Sequence, residues 1–321
     1  MPHEIRLSLL VSTRNRAPVL PQFLTRLNAA LQEEPEAEAL LVDNGSTDAT
    51  AEVLEAWASQ GPRRRFLRAP GPGKSRALNT AASQARGWVL AFTDDDVILP
   101  HGWLKALGEF FPRRPDFSAA TGPIRLPPET GAHDLPPDVE QAWQLVLPLF
   151  DCGTQFAEID SFYGANLGIR REAFEKAGGL CELLGPGASG FYDDLELAWR
   201  LRKQNFRIGY DPHLVVYHAP DPGRLTAHGL WARARSLAAS ERIVRKPPSC
   251  LVSAVRCLEA LGAVLGASIR RNRTHRLRAS FRGLRYVAHL GIASGLLHPP
   301  QSAGAQSRCC RNHASHLPEG T

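Results

Sequence analysis

Over its first hundred residues the chain alternates short apolar, β-rich runs with segments of helical period, and each run ends in a polar cluster. The runs are Ile5–Ser12, Ala39–Val42, Arg65–Arg68 and Trp88–Phe92, with helical patterns at Pro18–Leu31, Thr47–Ala58 and Ser75–Ala85 between them. That alternation predicts βαβ units and an α/β fold built on a mostly parallel central sheet with flanking helices. In such sheets ligands sit beyond the carboxyl ends of the strands. Four polar clusters fall there: Thr13 to Arg16, Asp43 to Asp48, Gly71 to Ser75, and Asp94-Asp95-Asp96. They are expected to converge on one crevice.

From Asp116 to Pro148 the pattern loosens, with Pro127-Pro128 and Pro136-Pro137 marking a loop before a helix around Asp138–Leu147. It resumes at Ser161–Ile169, followed by helical patterns at Arg171–Ala177 and Tyr192–Gln204 and strand patterns at Arg207–Tyr210 and Leu214–His218. Beyond Pro222 the character changes. Of the 38 basic and 32 acidic residues, 16 and 3 lie from Pro222 onward, a local net of +13; the first 221 residues hold the remaining 22 and 29, a net of −7. Helices are expected at Ala232–Val244 and, as two basic amphipathic stretches, at Leu251–Ile269 and Leu277–Leu297, with disorder after His298. The predicted organisation is a catalytic domain over residues 1–224, a basic helical extension over 225–298 and a tail over 299–321.

An apolar share of 43% and a charged share of 22% are those of a soluble globular protein and exclude disordered, collagen and coiled-coil classes. The six cysteines show no framework spacing and no cleavable signal peptide precedes them, so reduced thiols and a cytoplasmic location are expected. Cys309-Cys310 with His313 and His316 fits no standard zinc spacing. No run of about 18 uncharged apolar residues occurs. The segment from Cys257 to Ile269 comes closest, but Glu259 lies within it and Arg256 and Arg270 flank it.

Three adjacent carboxylates at a strand tip repel one another unless a cation neutralises them. Hard cations such as Mg²⁺ take one or two carboxylates plus substrate phosphates, so alternate aspartates of Asp94-Asp95-Asp96 suit a metal that in turn holds a diphosphate. An acidic turn or a helix cap before Leu104 is the plainer alternative. In Asp43-Asn44-Gly45-Ser46-Thr47-Asp48, turn formation and helix capping account for all but Asp43, which stands where a base or ribose hydroxyl finds an acceptor. Gly71-Pro72-Gly73-Lys74-Ser75 is not a P-loop, because Arg68 occupies the position of its first glycine. A looser anion-binding role at a helix N-terminus survives, with Lys74 and Arg76 adding charge. Asp193 and Asp194 open an amphipathic helix, where the dipole welcomes them and where one of them is also placed to act as a general base. His218, at the end of a strand, completes a carboxylate and imidazole metal site if the two aspartates come near it.

In this order the clusters resemble the family 2 glycosyltransferases, whose fold is the nucleotide-diphospho-sugar-binding GT-A domain. The resemblance runs from Leu7 to about Pro220 and includes Gly164-Ala165-Asn166 and the run from Asp193 to Leu197 with Arg200-Leu201. It implies that Thr13, Asn15 and Arg16 line the nucleotide pocket, that Asp43 meets the base, that Asp95 belongs to the donor site, and that Lys74 and Asn79 sit near ribose and phosphate. It implies Asp94, Asp96 and His218 as ligands of Mg²⁺ or Mn²⁺, and Gly164, Ala165 and Asn166 beside donor sugar and acceptor. Asp194 matches the catalytic base. The family's usual preceding residue is Glu and here it is Asp193, which leaves open which of the two carboxylates acts.

The expected activity is inverting transfer from a nucleotide sugar to a glycan or lipid-linked acceptor, as in assembly of surface polysaccharide or glycolipid. A sugar nucleotidyltransferase of similar fold and a non-catalytic binding scaffold are the alternatives. No nucleic-acid partner is expected. Arg270, Arg271, Arg273, Arg276, Arg278, Arg282 and Arg285 crowd between two apolar stretches, which suits a peripheral contact with the anionic inner face of a membrane.

Overall fold

The computed structural model describes residues 5–128, 143–144, 146–245, 247–269, 273–294 and 296–297. The chain divides into two compact units. One comprises Met1–Pro127, Leu149–Glu182 and Asp193–Ala219; the other comprises Pro128–Pro148, Leu183–Tyr192 and Pro220–Thr321.

The first unit is built on the expected alternation: β1 (Leu7–Thr13), α1 (Leu20–Glu33), β2 (Ala37–Asp43), α2 (Thr50–Ala58), β3 (Arg64–Arg68), α3 (Lys74–Gln84) and β4 (Val89–Phe92). Strands β3, β2, β1 and β4 lie side by side and parallel. Every residue of β2 and all but one of β1 are buried, which is why both read as continuous apolar runs: helices cover both faces of a parallel sheet. One face carries Leu9, Val11, Leu27, Leu41 and Phe111, the other Leu10, Leu40, Leu78, Phe92 and Leu197. Each such side chain contributes about 1.5–3 kcal/mol by leaving water.

Glu38 is the exception within β2, a fully buried carboxylate near the amino ends of the strands. It accepts hydrogen bonds from Ser8 Oγ (2.8 Å) and Arg86 Nε (2.7 Å). Burial alone would raise its pKa; the Arg86 and Ser8 bonds outweigh burial and hold it below the usual carboxylate value. Its role is structural.

The sheet continues through short strands, of which β10 and β11 match the strand patterns expected at Arg207–Tyr210 and Leu214–His218. After β5 (Val97–Ile98) and α4 (Trp103–Arg113) come β6 (Ala119–Thr121), β7 (Ile124–Arg125), β8 (Ala157–Ile159) and β9 (Leu167–Arg170). Then follow α5 (Arg171–Lys176), α6 (Asp193–Lys203), β10 (Ile208–Tyr210) and β11 (Val216–His218). The eight-stranded order is β3-β2-β1-β4-β9-β6-β10-β8, with β9 antiparallel to both neighbours. A separate three-stranded sheet runs β5-β11-β7. Two of these strands, β6 and β7, lie inside the stretch where the sequence pattern loosens: at two or three residues they are too short to show a period. The expected helix around Asp138–Leu147 lies largely outside the described residues, as do the stretch after His298 and the Cys309-Cys310 cluster.

In the second unit, α7 (Ala227–Val244), α8 (Cys250–Ile269) and α9 (Arg273–Ala293) follow a short 3₁₀ turn at Pro222–Leu225. Helix α9 packs on both α7 and α8. Buried Glu241 of α7 accepts from His289 Nε2 of α9 at 2.8 Å and pairs with Arg285 of α9 at 3.6 Å and with Arg245, just past its own helix, at 3.1 Å. Tyr192, held in left-handed backbone at φ 71°, donates its hydroxyl to Glu241 at 3.3 Å and accepts from Arg245 at 2.8 Å. Helix α8 departs from the basic amphipathic pattern expected of it. Its large apolar side chains face outward, and its only charges, Arg256 and Glu259, pair with each other at 2.8 Å. Among the described residues it is the one helix long and apolar enough, by length and composition, to cross a membrane. Cys152, Cys250 and Cys257 are free thiols.

Candidate functional site

Strand register assembles the site. Thr13 lies opposite Asp43 in the β1–β2 ladder, and Leu10 opposite Phe92 in β1–β4, so three residues further on Thr13 comes level with Asp95. The Thr13 hydroxyl accordingly donates to Asp95. Arg16, just beyond β1, reaches the same acidic tip, 3.4 Å from Asp95 Oδ1 and 3.4 Å from Asp96 Oδ2. Asp95 is the most enclosed of the triplet. Burial pushes its carboxyl up to about 6 against the pull of Arg16 and Thr13, with Asp96 and Asp94 adding to the rise.

His218 arrives through the small sheet. The antiparallel ladder pairs His218 with Val97, and Ala219 N–H donates to the Asp96 carbonyl at 3.0 Å. This pairing places the imidazole Nε2 3.5 Å from Asp96 Oδ1. Nδ1 donates to the Ala219 carbonyl at 3.1 Å, the tautomer that leaves the Nε2 lone pair facing the carboxylates. Asp94, Asp96 and His218 each offer one ligand atom within 4.8 Å of the others. Two hard oxygens and one oriented imidazole fit a divalent ion such as Mg²⁺ or Mn²⁺ that keeps further positions for phosphate oxygens.

Lys74, the first residue of α3, reaches into this cluster and its ammonium donates to Asp94. Burial works against its charge, but Asp94, Asp193 and Asp194 outweigh burial and raise its pKa. One cation therefore serves both the strand-tip acids and the carboxylates that open α6. Asp193 is buried; burial, reinforced by Asp194, pushes it up to about 7 although Lys74 pulls the other way. Asp194 is half-buried and is likewise raised by burial, against the Gly164 N–H and the Lys74 charge. Its two oxygens are separately oriented: Gly164 N–H donates to Oδ2 at 3.0 Å and Leu195 N–H to Oδ1 at 2.8 Å. Lys74 thus pairs directly with Asp94 and is also within electrostatic reach of Asp193 and Asp194.

The remaining candidate residues shape the surroundings. Asp43 accepts from Ser46 N–H at 3.0 Å, and Asn15, in left-handed backbone at φ 53°, accepts from Thr47 N–H at 2.8 Å. These bonds tie the first two loops together. At Gly45 the backbone has φ 73° and an added Cβ would lie 3.0 Å from Gly71 Cα, so the second and third loops meet backbone to backbone where only glycine fits. Asn79 lies along α3 and its amide is occupied by Leu180 (2.9 Å to the carbonyl) and Glu182.

Of the Gly164-Ala165-Asn166 segment, Gly164 meets Asp194, and the Ala165 carbonyl accepts from Thr93 at 3.0 Å. Asn166 is fully buried: its amide donates to the carbonyls of Leu214 (2.6 Å) and Pro123 and accepts from Trp103 Nε1 at 3.1 Å. That amide holds the core together behind the site. In the same way Glu196 and Arg200 form a buried pair at 2.7 Å, with Arg200 also donating to the carbonyls of Ala177 and Gly179, which fixes α6 to the turn after α5.

Over residues 8–178, more than half of the chain, the sequence matches the family described as glycosyl transferase family 2. A beta-monoglucosyldiacylglycerol synthase of Synechocystis sp. is 24% identical over 233 residues, 70% of this chain and 45% of that protein. An uncharacterized glycosyltransferase of Nostoc sp. is 31% identical over 99 residues, 30% of each. The chain spans less than half the length of these two relatives. Among solved structures, a mannosyltransferase from Pyrobaculum calidifontis in complex with GDP-Man and Mn²⁺ superposes with a TM-score of 0.62 at 20% identity, covering 91% of this chain and 89% of that one. GalNAc-T7 with UDP, GalNAc and Mn²⁺ gives a TM-score of 0.52 at 15% identity over 74% and 51% of the two chains. At such identities the likeness is one of fold, the GT-A fold. The family match, together with strand tips that gather their polar clusters at the carboxyl end of a parallel sheet, establishes the chain as a member of glycosyl transferase family 2.

Proposed function

We propose that this chain is an inverting, metal-dependent glycosyltransferase that moves a sugar from a nucleoside-diphosphate sugar to an acceptor hydroxyl. The observation that carries the reading is the gathering of Asp94, Asp96 and His218 as a ligand set at the strand tips, with Lys74 bonded to Asp94 and within electrostatic reach of Asp193 and Asp194.

Asp94, Asp96 and His218 hold Mg²⁺ or Mn²⁺, which when bound supplies charge stabilisation to the departing diphosphate. Thr13, Asn15, Arg16, Asp43 and Asp95 form the nucleotide side of the pocket, and Lys74 gives the phosphates a second positive charge. Asn79 steadies the ribose side, and Gly164, Ala165 and Asn166 back the sugar and acceptor. Asp194 takes the proton of the attacking hydroxyl on Oδ2 or Oδ1, each already aimed by a backbone N–H. Asp193, more deeply buried, tunes that carboxylate. A single displacement with one base and no enzyme nucleophile inverts the anomeric centre.

The relatives support this assignment by the ligands in their names: GDP-Man with Mn²⁺ and UDP with GalNAc and Mn²⁺ in the two structures. The Synechocystis synthase favours a lipid acceptor. A glycolipid or surface-polysaccharide precursor at the inner face of a membrane fits that relative and the basic helices, with residues 1–224 catalytic, 225–298 an attachment module and 299–321 a tail.

The test is a donor screen scored by nucleoside diphosphate release, with and without EDTA. Release that stops with EDTA and returns with Mn²⁺ supports the reading; pyrophosphate release from NTP and sugar phosphate overturns it in favour of a nucleotidyltransferase. In the same assay Asp194→Asn is expected to keep donor binding and lose about 10²–10⁴-fold in turnover. Unchanged turnover removes Asp194 from the role.

A further inference from the structure

Helix α8 is inside out for a helix of a water-soluble protein. A surface helix ordinarily turns its large apolar residues inward and leaves polar residues outside. Here the buried positions are Ser253, Ala260 and Ala267, spaced seven apart, all small. The outward positions are Leu251, Val255, Leu258, Leu261 and Leu265, between 46% and 75% exposed. The small stripe has a packing reason. It lets α9 approach closely: a Cβ added at Gly283 of α9 would lie 3.3 Å from Ala260 Cβ. Small residues between helices with large apolar side chains turned away is the distribution of helices packed in lipid, where close backbone approach and not hydrophobic burial holds the pair together.

Helix α9 supplies the opposite chemistry. Arg276, Arg278 and Arg282 are exposed along it, and from Ala260 to Pro318 the chain contains no acidic residue to neutralise them. A second protein copy would present the same arginines to one another, whereas lipid phosphates match them. Helix α8 is about 30 Å long, the thickness of a hydrocarbon core. If it spanned, α9, packed along it, would carry its arginines into that core, at a cost of several kcal/mol in all. An in-plane position leaves the leucines in the acyl boundary and the arginines at the headgroups.

We propose that the outward face of α8 seats in the interface of an anionic phospholipid bilayer, with the α9 arginines on its phosphates. The inference deepens the membrane-proximal reading above, and its test does not depend on the transferase chemistry. The full-length protein is floated with vesicles of phosphatidylcholine alone and of phosphatidylcholine mixed with phosphatidylglycerol, at low and high salt. Binding to the mixed vesicles that weakens with salt is expected. Leu258→Gln/Leu261→Gln/Leu265→Gln and, separately, Arg276→Gln/Arg278→Gln/Arg282→Gln are each expected to lower partitioning by about tenfold or more. Because all six positions are exposed on helix faces, nucleoside diphosphate release with a water-soluble acceptor is expected to stay at the wild-type rate in both variants. Failure to float with mixed vesicles overturns the proposal even if transfer activity is intact, as does a sedimenting dimer that the leucine variant converts to monomer without any vesicle binding. Flotation without any transferase activity leaves the surface in place and removes the catalytic reading instead.

Discussion

At the scale of single residues, the electrostatics of the site turn on Lys74. Its ammonium lowers both carboxylates of the Asp193-Asp194 pair, while burial raises them, and burial prevails. A base must be unprotonated to accept a proton. Activity is therefore expected to climb with pH as the Asp194 carboxyl, raised by burial, loses its proton, at higher pH than an ordinary aspartate would. Lys74→Met is expected to move that rising limb to higher pH, read from kcat/KM against pH; an unmoved limb would sever Lys74 from the dyad. The stability effect has its own sign. Because these folded pKa values lie above the unfolded value near 3.9, the folded state holds more protons in between, so the pair's contribution is full at low pH and is lost as pH rises through about 7. Urea melts of the wild type and Asp193→Asn at pH 5 and pH 8 check this: the asparagine variant is expected to lose less stability between the two.

At the scale of elements, several motif residues hold structure together. Glu196 and Arg200 are 6% and 3% exposed, and Arg200 anchors α6 to the Ala177 and Gly179 carbonyls. Removing one partner leaves the other charge buried and uncompensated, so Glu196→Leu is expected to destabilise by about 3–5 kcal/mol in chemical denaturation. A loss under about 1 kcal/mol would mean that the pair is idle. The first strands and helices were legible because their apolar periods are long and their termini carry polar residues. The strands β5 and β7 were harder, since two residues carry no period, and the β11 strand expected at Leu214–His218 brings His218 to Asp96 only through its pairing with β5. Asn166 could be recognised as part of a motif, but sequence does not say whether an amide faces a ligand or Leu214, Pro123 and Trp103. Helix α8 shows the same limit: a period gives the faces of a helix and not which of them is covered.

At the scale of the whole molecule, charge and chemistry divide between the acidic first part of the chain and its basic end, and the ligand set follows that division. The acidic tip demands a cation before a sugar nucleotide's diphosphate can approach it, so metal and nucleotide are expected to bind together. Thermal melts should rise more with Mn²⁺ and nucleoside diphosphate together than the two separate rises combined, because each ligand stabilises the folded state by mass action and each improves the other's site. Simple additivity would show that the two sites are independent. The claim on which the rest depends is the ion itself, and anomalous scattering from a crystal grown with Mn²⁺ and nucleoside diphosphate locates it directly. The expected result is one strong peak at ligand distance from Asp94, Asp96 and His218 Nε2, with the diphosphate on it and Asp194 facing the same space. A nucleotide bound with no metal peak at those three side chains would contradict the account.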